Sequence, residues 1–137
     1  MSARWRRWRP AFRALRVGDP RDAGTDIGPV ITAAQRDRLE AAVGAAREAG
    51  GRVIAGGERP RDTPPGFYVA PTLIADLAPE APQAREELFG PVIVALPFDS
   101  EDEAIAIRQR FPLRFGGYGR PIWRVERNSR PESPRER

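Results

Sequence analysis

Two adjacent carboxylates, an aromatic ring and a Gly-Pro turn stand together at Glu86-Glu87-Leu88-Phe89-Gly90-Pro91, directly before the apolar run Val92-Ile93-Val94-Ala95-Leu96. A short, wholly apolar run of this kind reads as a buried strand. The hexapeptide is then a loop that delivers polar and aromatic side chains to one end of a sheet, where ligands of open α/β sheets tend to sit. The same residues also fit a plain helix end, a core Phe and a turn. A second concentration of acid, at Asp99, Glu101, Asp102 and Glu103, has the composition of a cation site. Four acids at the start of a helix more simply favour its dipole, so no metal site is assigned.

The chemistry available elsewhere is narrow. The 137 residues contain no Cys and no His. Disulfides, thiolate metal sites, a cysteine nucleophile and an imidazole base are therefore all excluded within this sequence. No apolar run is long enough to cross a membrane and no secretory h-region is evident, so a cytoplasmic location is the default expectation.

The net charge of +4 averages over three different segments. Residues 1–16 carry six Arg and no acid; residues 17–107 carry eight Arg and sixteen acids; residues 108–137 carry nine Arg and three Glu. The resulting +6, −8 and +6 define an Arg/Trp-rich N-terminal segment leading into a helix end, an acidic middle and an Arg/Pro-rich tail. All 23 basic residues are Arg, as expected of a GC-rich coding sequence. Arg and Trp alternate over residues 1–10, a pattern that could pair with phosphates and stack on bases or enter a membrane interface. It also has the look of a weak transit peptide; the preferred reading is a disordered or mis-started end.

The elements that must position the hexapeptide follow from periodicity and punctuation. Ala11 to Val17 suits a helix end stopped by Gly18-Asp19-Pro20. After a polar loop closed by Gly28-Pro29, Thr32 begins a helix with Gln35 in capping-box position. Leu39, Val43, Ala46 and Ala49 form its apolar stripe, and Gly50-Gly51 ends it. Val53-Ile54-Ala55 is a short strand stopped by Gly56-Gly57. A surface loop leads to a second strand over Phe67 to Ile74, with Pro71 at an edge or bulge. Asp76 to Arg85 is irregular or a short helical turn. Beyond the strand at Val92–Leu96, Ser100 caps a last helix with Glu103 in box position and Ala104, Ile105 and Ile107 on its apolar face. Strand, helix and strand alternate, so the fold class is α/β.

Taken in order, Gly18-Asp19-Pro20, Thr25-Asp26-Ile27-Gly28-Pro29-Val30-Ile31, Gly56-Gly57, Gly66-Phe67-Tyr68-Val69-Ala70-Pro71-Thr72-Leu73 and Glu86-Glu87-Leu88-Phe89-Gly90-Pro91-Val92 closely resemble part of the catalytic domain of the NAD(P)-dependent aldehyde dehydrogenases. The similarity runs from about Ala11 to Ile107. It implies a fragment of that α/β domain, built of strand-helix-strand units over 17–107, with disordered basic ends. In the resembled enzymes a cysteine thiolate attacks an aldehyde, hydride passes to nicotinamide, and a glutamate-activated water releases the acid. The segments bearing the nucleophile, the general base and the pyrophosphate-binding half do not fall within the match. No catalytic residue is assigned, and these residues alone are not expected to oxidise aldehydes.

What the resemblance does transfer is one half of a nicotinamide contact. Glu87 matches the Glu that accepts hydrogen bonds from the nicotinamide ribose hydroxyls, and Phe89 the Phe that packs beside the ring. A carboxylate suits a vicinal diol because it can accept two charge-assisted hydrogen bonds. NAD or NADP is thus the cofactor of the parent family. Two contacts are too few to immobilise a dinucleotide, so none is expected on these residues alone.

The family's last helix should continue into an Asn-bearing turn and Tyr-Gly-Leu, whereas Arg108 to Gly119 reads RQRFPLRFGGYG. Codons for that segment can be chosen so that a one-base shift reads ANDSRYGLAAT, which looks like the missing continuation. Residues 108–137 therefore read as an out-of-frame, disordered tail. Two rival roles stay open: an anionic-surface or nucleic-acid module acting through the Arg/Trp-rich ends, and association with full-length aldehyde dehydrogenase subunits.

Overall fold

The computed structural model describes residue 5 and residues 8–109. The chain divides into two units, residues 1–97 and residues 98–137. The first unit holds helix α1 (Trp8–Ala14), helix α2 (Ala33–Glu48), strand β1 (Arg52–Ala55), strand β2 (Thr72–Ala75), the short helix α3 (Pro82–Arg85) and strand β3 (Val92–Ala95). The second holds helix α4 (Glu101–Gln109).

Helix α2 starts and stops where side-chain and backbone chemistry dictate. Thr32 is extended, with φ −138° and ψ 158°, and its hydroxyl accepts the Gln35 amide at 3.1 Å. One donor of the first turn is thereby satisfied. Leu39, Val43 and Ala46 form the buried stripe, while Ala49 caps the end and is exposed. Gly50, at φ +86°, closes the helix; its amide donates to Arg47 O (3.0 Å) and that of Gly51 to Ala46 O (2.8 Å). This is the double hydrogen bond of a Schellman cap, whose left-handed position favours Gly.

The sheet is mixed, in the order β1-β2-β3. β1 runs antiparallel to β2, and β2 runs parallel to β3, with Thr72 opposite Val92 and Ala75 opposite Ala95. Strand alternation sends the side chains to two faces. Ile74, with Val53, Val92 and Val94, packs against Val43 and Ala46 of α2. Leu73 and Ala75, with Ile54, Ala55 and Ala95, pack on the other face with Trp5, Trp8 and Phe12. Consecutive Ile54 and Ala55 join one cluster because the β1–β2 register shifts between Val53 and Ala55. Central β2 is buried throughout, and its one polar member, Thr72, donates its hydroxyl to Ala70 O and accepts the Gly57 amide.

Several boundaries differ from the sequence reading, β1 starting one residue early at Arg52. The strand expected over Phe67–Ile74 is Thr72–Ala75. Phe67 O accepts the Val30 amide instead of joining the ladder, Pro71 has no N–H to give, and pairing begins where Thr72 N donates to Pro91 O (2.8 Å). The strand expected to reach Leu96 ends at Ala95. The helix read as ending near Val17 occupies Trp8–Ala14 instead, and Val17 forms an isolated parallel bridge with Ile27.

The N-terminal segment is also more structured than expected. Trp5 is only 7% exposed and belongs to the core. Its indole N–H donates to Asp76 Oδ1 at 3.3 Å, and Arg52 pairs with Asp76 Oδ2 at 2.6 Å. Asp76 itself turns left-handed, φ +62°, at the end of β2. Residues 1–4, 6–7 and 110–137, to which disorder was also assigned, lie outside the described residues.

In α4, Ser100 Oγ accepts the Glu103 amide (3.1 Å) and Glu103 Oε2 accepts the Asp99 amide (2.7 Å). Glu101, Asp102 and Glu103 occupy its first turn, where the helix dipole favours negative charge. The helix runs two residues past Ile107.

Candidate functional site

The Glu86–Pro91 turn precedes β3, so it lies at the amino end of the parallel pair, not at the carboxyl end where open α/β sheets more commonly hold ligands. Three hydrogen bonds set its entry and exit. Glu86, the C-cap of α3, donates its N–H to Pro82 O, Val92 N donates to Gly90 O, and Thr72 N to Pro91 O, each at 2.8 Å.

The two predicted contact residues both face solvent. Glu87 is exposed, and its carboxylate makes no hydrogen bond or ion pair with another described residue. Phe89 is 68% exposed and has φ +40°. A bulky residue in the left-handed region costs about 1–2 kcal/mol and persists only where its surroundings impose it. The structure therefore rejects the plain reading of Phe89 as a core residue.

The turn is contacted by α2, more than fifty residues earlier in the chain. Gln35 Nε2 donates to Leu88 O at 3.1 Å and to Phe89 O at 2.7 Å. One turn further along α2, fully buried Leu39 lies under Gly90, where a Cβ would overlap Leu39 Cδ1. Any larger residue there would have to displace the Leu39 side chain. Sequence reasoning assigned Gln35 to the capping box alone. The backbone half of the box forms, but the side-chain amide goes to the turn. The available signal was the choice of Gln over Glu, since only the amide can donate.

Glu87, with no partner among the described residues, can accept hydrogen bonds, and the exposed Phe89 ring beside it offers an apolar face. Nearby, Phe67 is partly exposed with the Arg36 guanidinium 5.8 Å from its ring centroid, and Ile31 is 93% exposed. Among the described residues there is no His/Cys/Asp/Glu group able to hold a metal ion, and no helix long and apolar enough to cross a membrane. Trp5, counted among the stacking residues of a nucleic-acid surface, is instead in the core.

Comparison with known proteins is consistent along most of the chain. Residues 5–117 match the sequence model of the aldehyde dehydrogenase family, a span that begins before Ala11 and ends beyond Ile107. Betaine aldehyde dehydrogenase of Cereibacter sphaeroides is 45% identical over 93 residues, 68% of this chain and 19% of that protein. Betaine aldehyde dehydrogenase of Rhizobium etli is 38% identical over 125 residues, 89% of this chain and 26% of that protein. The chain thus spans about a fifth to a quarter of the length of these curated relatives. Among solved structures, Mycobacterium tuberculosis aldehyde dehydrogenase complexed with NAD+ superposes with a TM-score of 0.70 at 41% identity, over 73% of this chain and 21% of that one. PnpE from Pseudomonas sp. WBC-3 gives 0.71 at 39% identity, over 75% of this chain and 21% of that one.

Proposed function

The chain belongs to the aldehyde dehydrogenase family, and from that premise we propose that its described part is the nicotinamide-side wall of an aldehyde-oxidising site, separated from the groups that do the chemistry. The observation that carries this is the turn itself: the Glu87 carboxylate has no described partner to compete with a diol, and Phe89 is exposed on a backbone hydrogen-bonded by Gln35 of α2. Glu87 would accept hydrogen bonds from the nicotinamide ribose, and Phe89 would lie beside the ring. When bound, the nicotinamide supplies a hydride acceptor; NAD and NADP remain equal candidates. The parent substrate is an aldehyde. In a complete enzyme the contribution of these residues would be to orient the ribose and ring.

These 137 residues do not complete a reaction by themselves, because with no Cys there is no thiol to form the covalent intermediate. They also hold a dinucleotide too weakly to retain it, since a single diol contact and a single ring contact fall short of the cost of immobilisation. We read these residues as inactive by themselves and cytoplasmic by default, with association with full-length aldehyde dehydrogenase subunits as a route to a partner.

Two measurements test this. Titration of the chain with NAD+ or NADP+ by ligand-observed NMR should give no saturable binding below about 1 mM, near 4 kcal/mol of affinity. An assay with small aldehydes and either cofactor should give no reduced nucleotide. Sub-millimolar binding or turnover would overturn the reading. The out-of-frame reading of the tail rests on the shifted peptide ANDSRYGLAAT, while the family match runs to residue 117. Sequencing the gene with several hundred bases on each side tests it, and a sound frame through Gln109 and beyond would remove it.

A further inference from the structure

We propose that Gln35 is the positioning residue that sets the direction of Phe89, and that α2 controls the geometry of the Glu87–Phe89 turn through this one side chain. The inference rests on the cofactor-side reading of that turn for its functional meaning, but its geometry stands apart from it.

The carbonyl of Leu88 belongs to the peptide plane preceding Phe89, and the carbonyl of Phe89 to the plane that follows. Gln35 Nε2 holds both, at 3.1 and 2.7 Å. Fixing the two planes on either side of one Cα fixes both of its backbone dihedrals, and with them the direction of its Cα–Cβ bond. Phe89 is the residue in the turn that needs this, because its φ of +40° is unfavourable for a bulky side chain. The side chain cannot hold itself in place by packing, since it is 68% exposed. Leu39, on the same face of α2 four residues later, supplies the floor under Gly90, so the turn is held at consecutive residues from one helix.

Gln is also the residue type this task selects. A Glu at position 35 would serve the helix better, completing the capping box and favouring the dipole. It would bring a carboxylate against two carbonyl oxygens and could donate to neither at neutral pH. A helix-only role for position 35 and a turn-holding role therefore make opposite predictions for one substitution.

The test uses the full chain without nucleotide, in wild-type form and as Gln35→Glu and Gln35→Met, the second keeping length while removing the donors. Amide exchange is followed at Val92 and Thr72, whose N–H groups bond to Gly90 O and Pro91 O. Both variants should accelerate these two amides by about tenfold, as expected for losing a pair of net-modest hydrogen bonds, while Ile74 and Ala75 stay unchanged. Unchanged exchange at Val92 and Thr72, or uniform acceleration through the sheet, would overturn the proposal. Should both variants fail to fold, the role is general stability and the proposal is equally overturned. In the wild-type chain, scalar coupling from the Gln35 side-chain N–H to the Leu88 and Phe89 carbonyls should be detected, and its absence would also reject the assignment. Because no cofactor enters, failure here leaves the nicotinamide reading standing, and failure of the NAD+ or NADP+ titration leaves this one standing.

Discussion

At the scale of single residues, the turn combines a strained Phe with a Gly whose Cβ position is already taken by Leu39. Phe89→Gly removes little packing, because the ring is mostly exposed, and relieves the left-handed backbone. Urea unfolding should show stability unchanged or raised by up to about 1 kcal/mol. Gly90→Ala, one residue on, should lower it by about 1–3 kcal/mol, since the new Cβ meets buried Leu39. A second residue-scale prediction concerns Asp19. Hydrogen bonds from the Arg21 side chain and backbone hold its carboxyl at about 2 instead of the ordinary 3.8. A depressed folded-state value means that the contribution of this carboxylate is present above the ordinary range and is lost as pH falls through about 2. Carbon-detected NMR titration should find the midpoint there, and Arg21→Ala should return it toward 3.8.

At the scale of elements, the sheet depends on contacts from both faces. Trp5 and Trp8 close the face opposite α2, and the Trp5 indole ties the chain start to Asp76 at the far end of β2. Trp5→Ala should therefore cost about 3–5 kcal/mol, enough to unfold much of a small domain, and near-UV circular dichroism would register the loss. Thr32→Ala removes the N-cap of α2 and should cost about 1 kcal/mol in the same unfolding measurement. Its effect should spread across the α2-side core, because the stripe of Leu39, Val43 and Ala46 depends on the helix starting in register.

For the molecule as a whole, the apolar surface is less well covered than the core. Ile31, Phe67 and Phe89 are exposed around the start of α2, and β3 is an edge of the described sheet with Ile93 55% exposed. An edge strand carrying an exposed Ile is open to pairing with another chain. Together with a three-stranded core, this leads us to expect stability of only a few kcal/mol and concentration-dependent self-association. Size-exclusion chromatography over a range of loading concentrations checks it; a monomer at every concentration with a sharp cooperative melt would contradict it.

Composition and local pattern were sufficient for several results. The lack of Cys and His excludes thiol and imidazole chemistry whatever the fold, because no arrangement can supply an absent group. Thr32, the 39-43-46 stripe and Gly50 marked α2, and Ser100 with Glu103 marked the start of α4, since caps and periodicity are properties of neighbouring residues. Only the tertiary structure moved the second strand to Thr72–Ala75, because Phe67 O finds its donor in Val30, far away in sequence. It also placed Trp5 inside, where burial is decided by β1 and β2 and not by the Arg residues beside it. The hold of Gln35 on the turn belongs to this second class. A hydrogen bond across 54 residues leaves no local periodicity, and it exists only once α2 and the turn before β3 have been brought to the same end of the sheet.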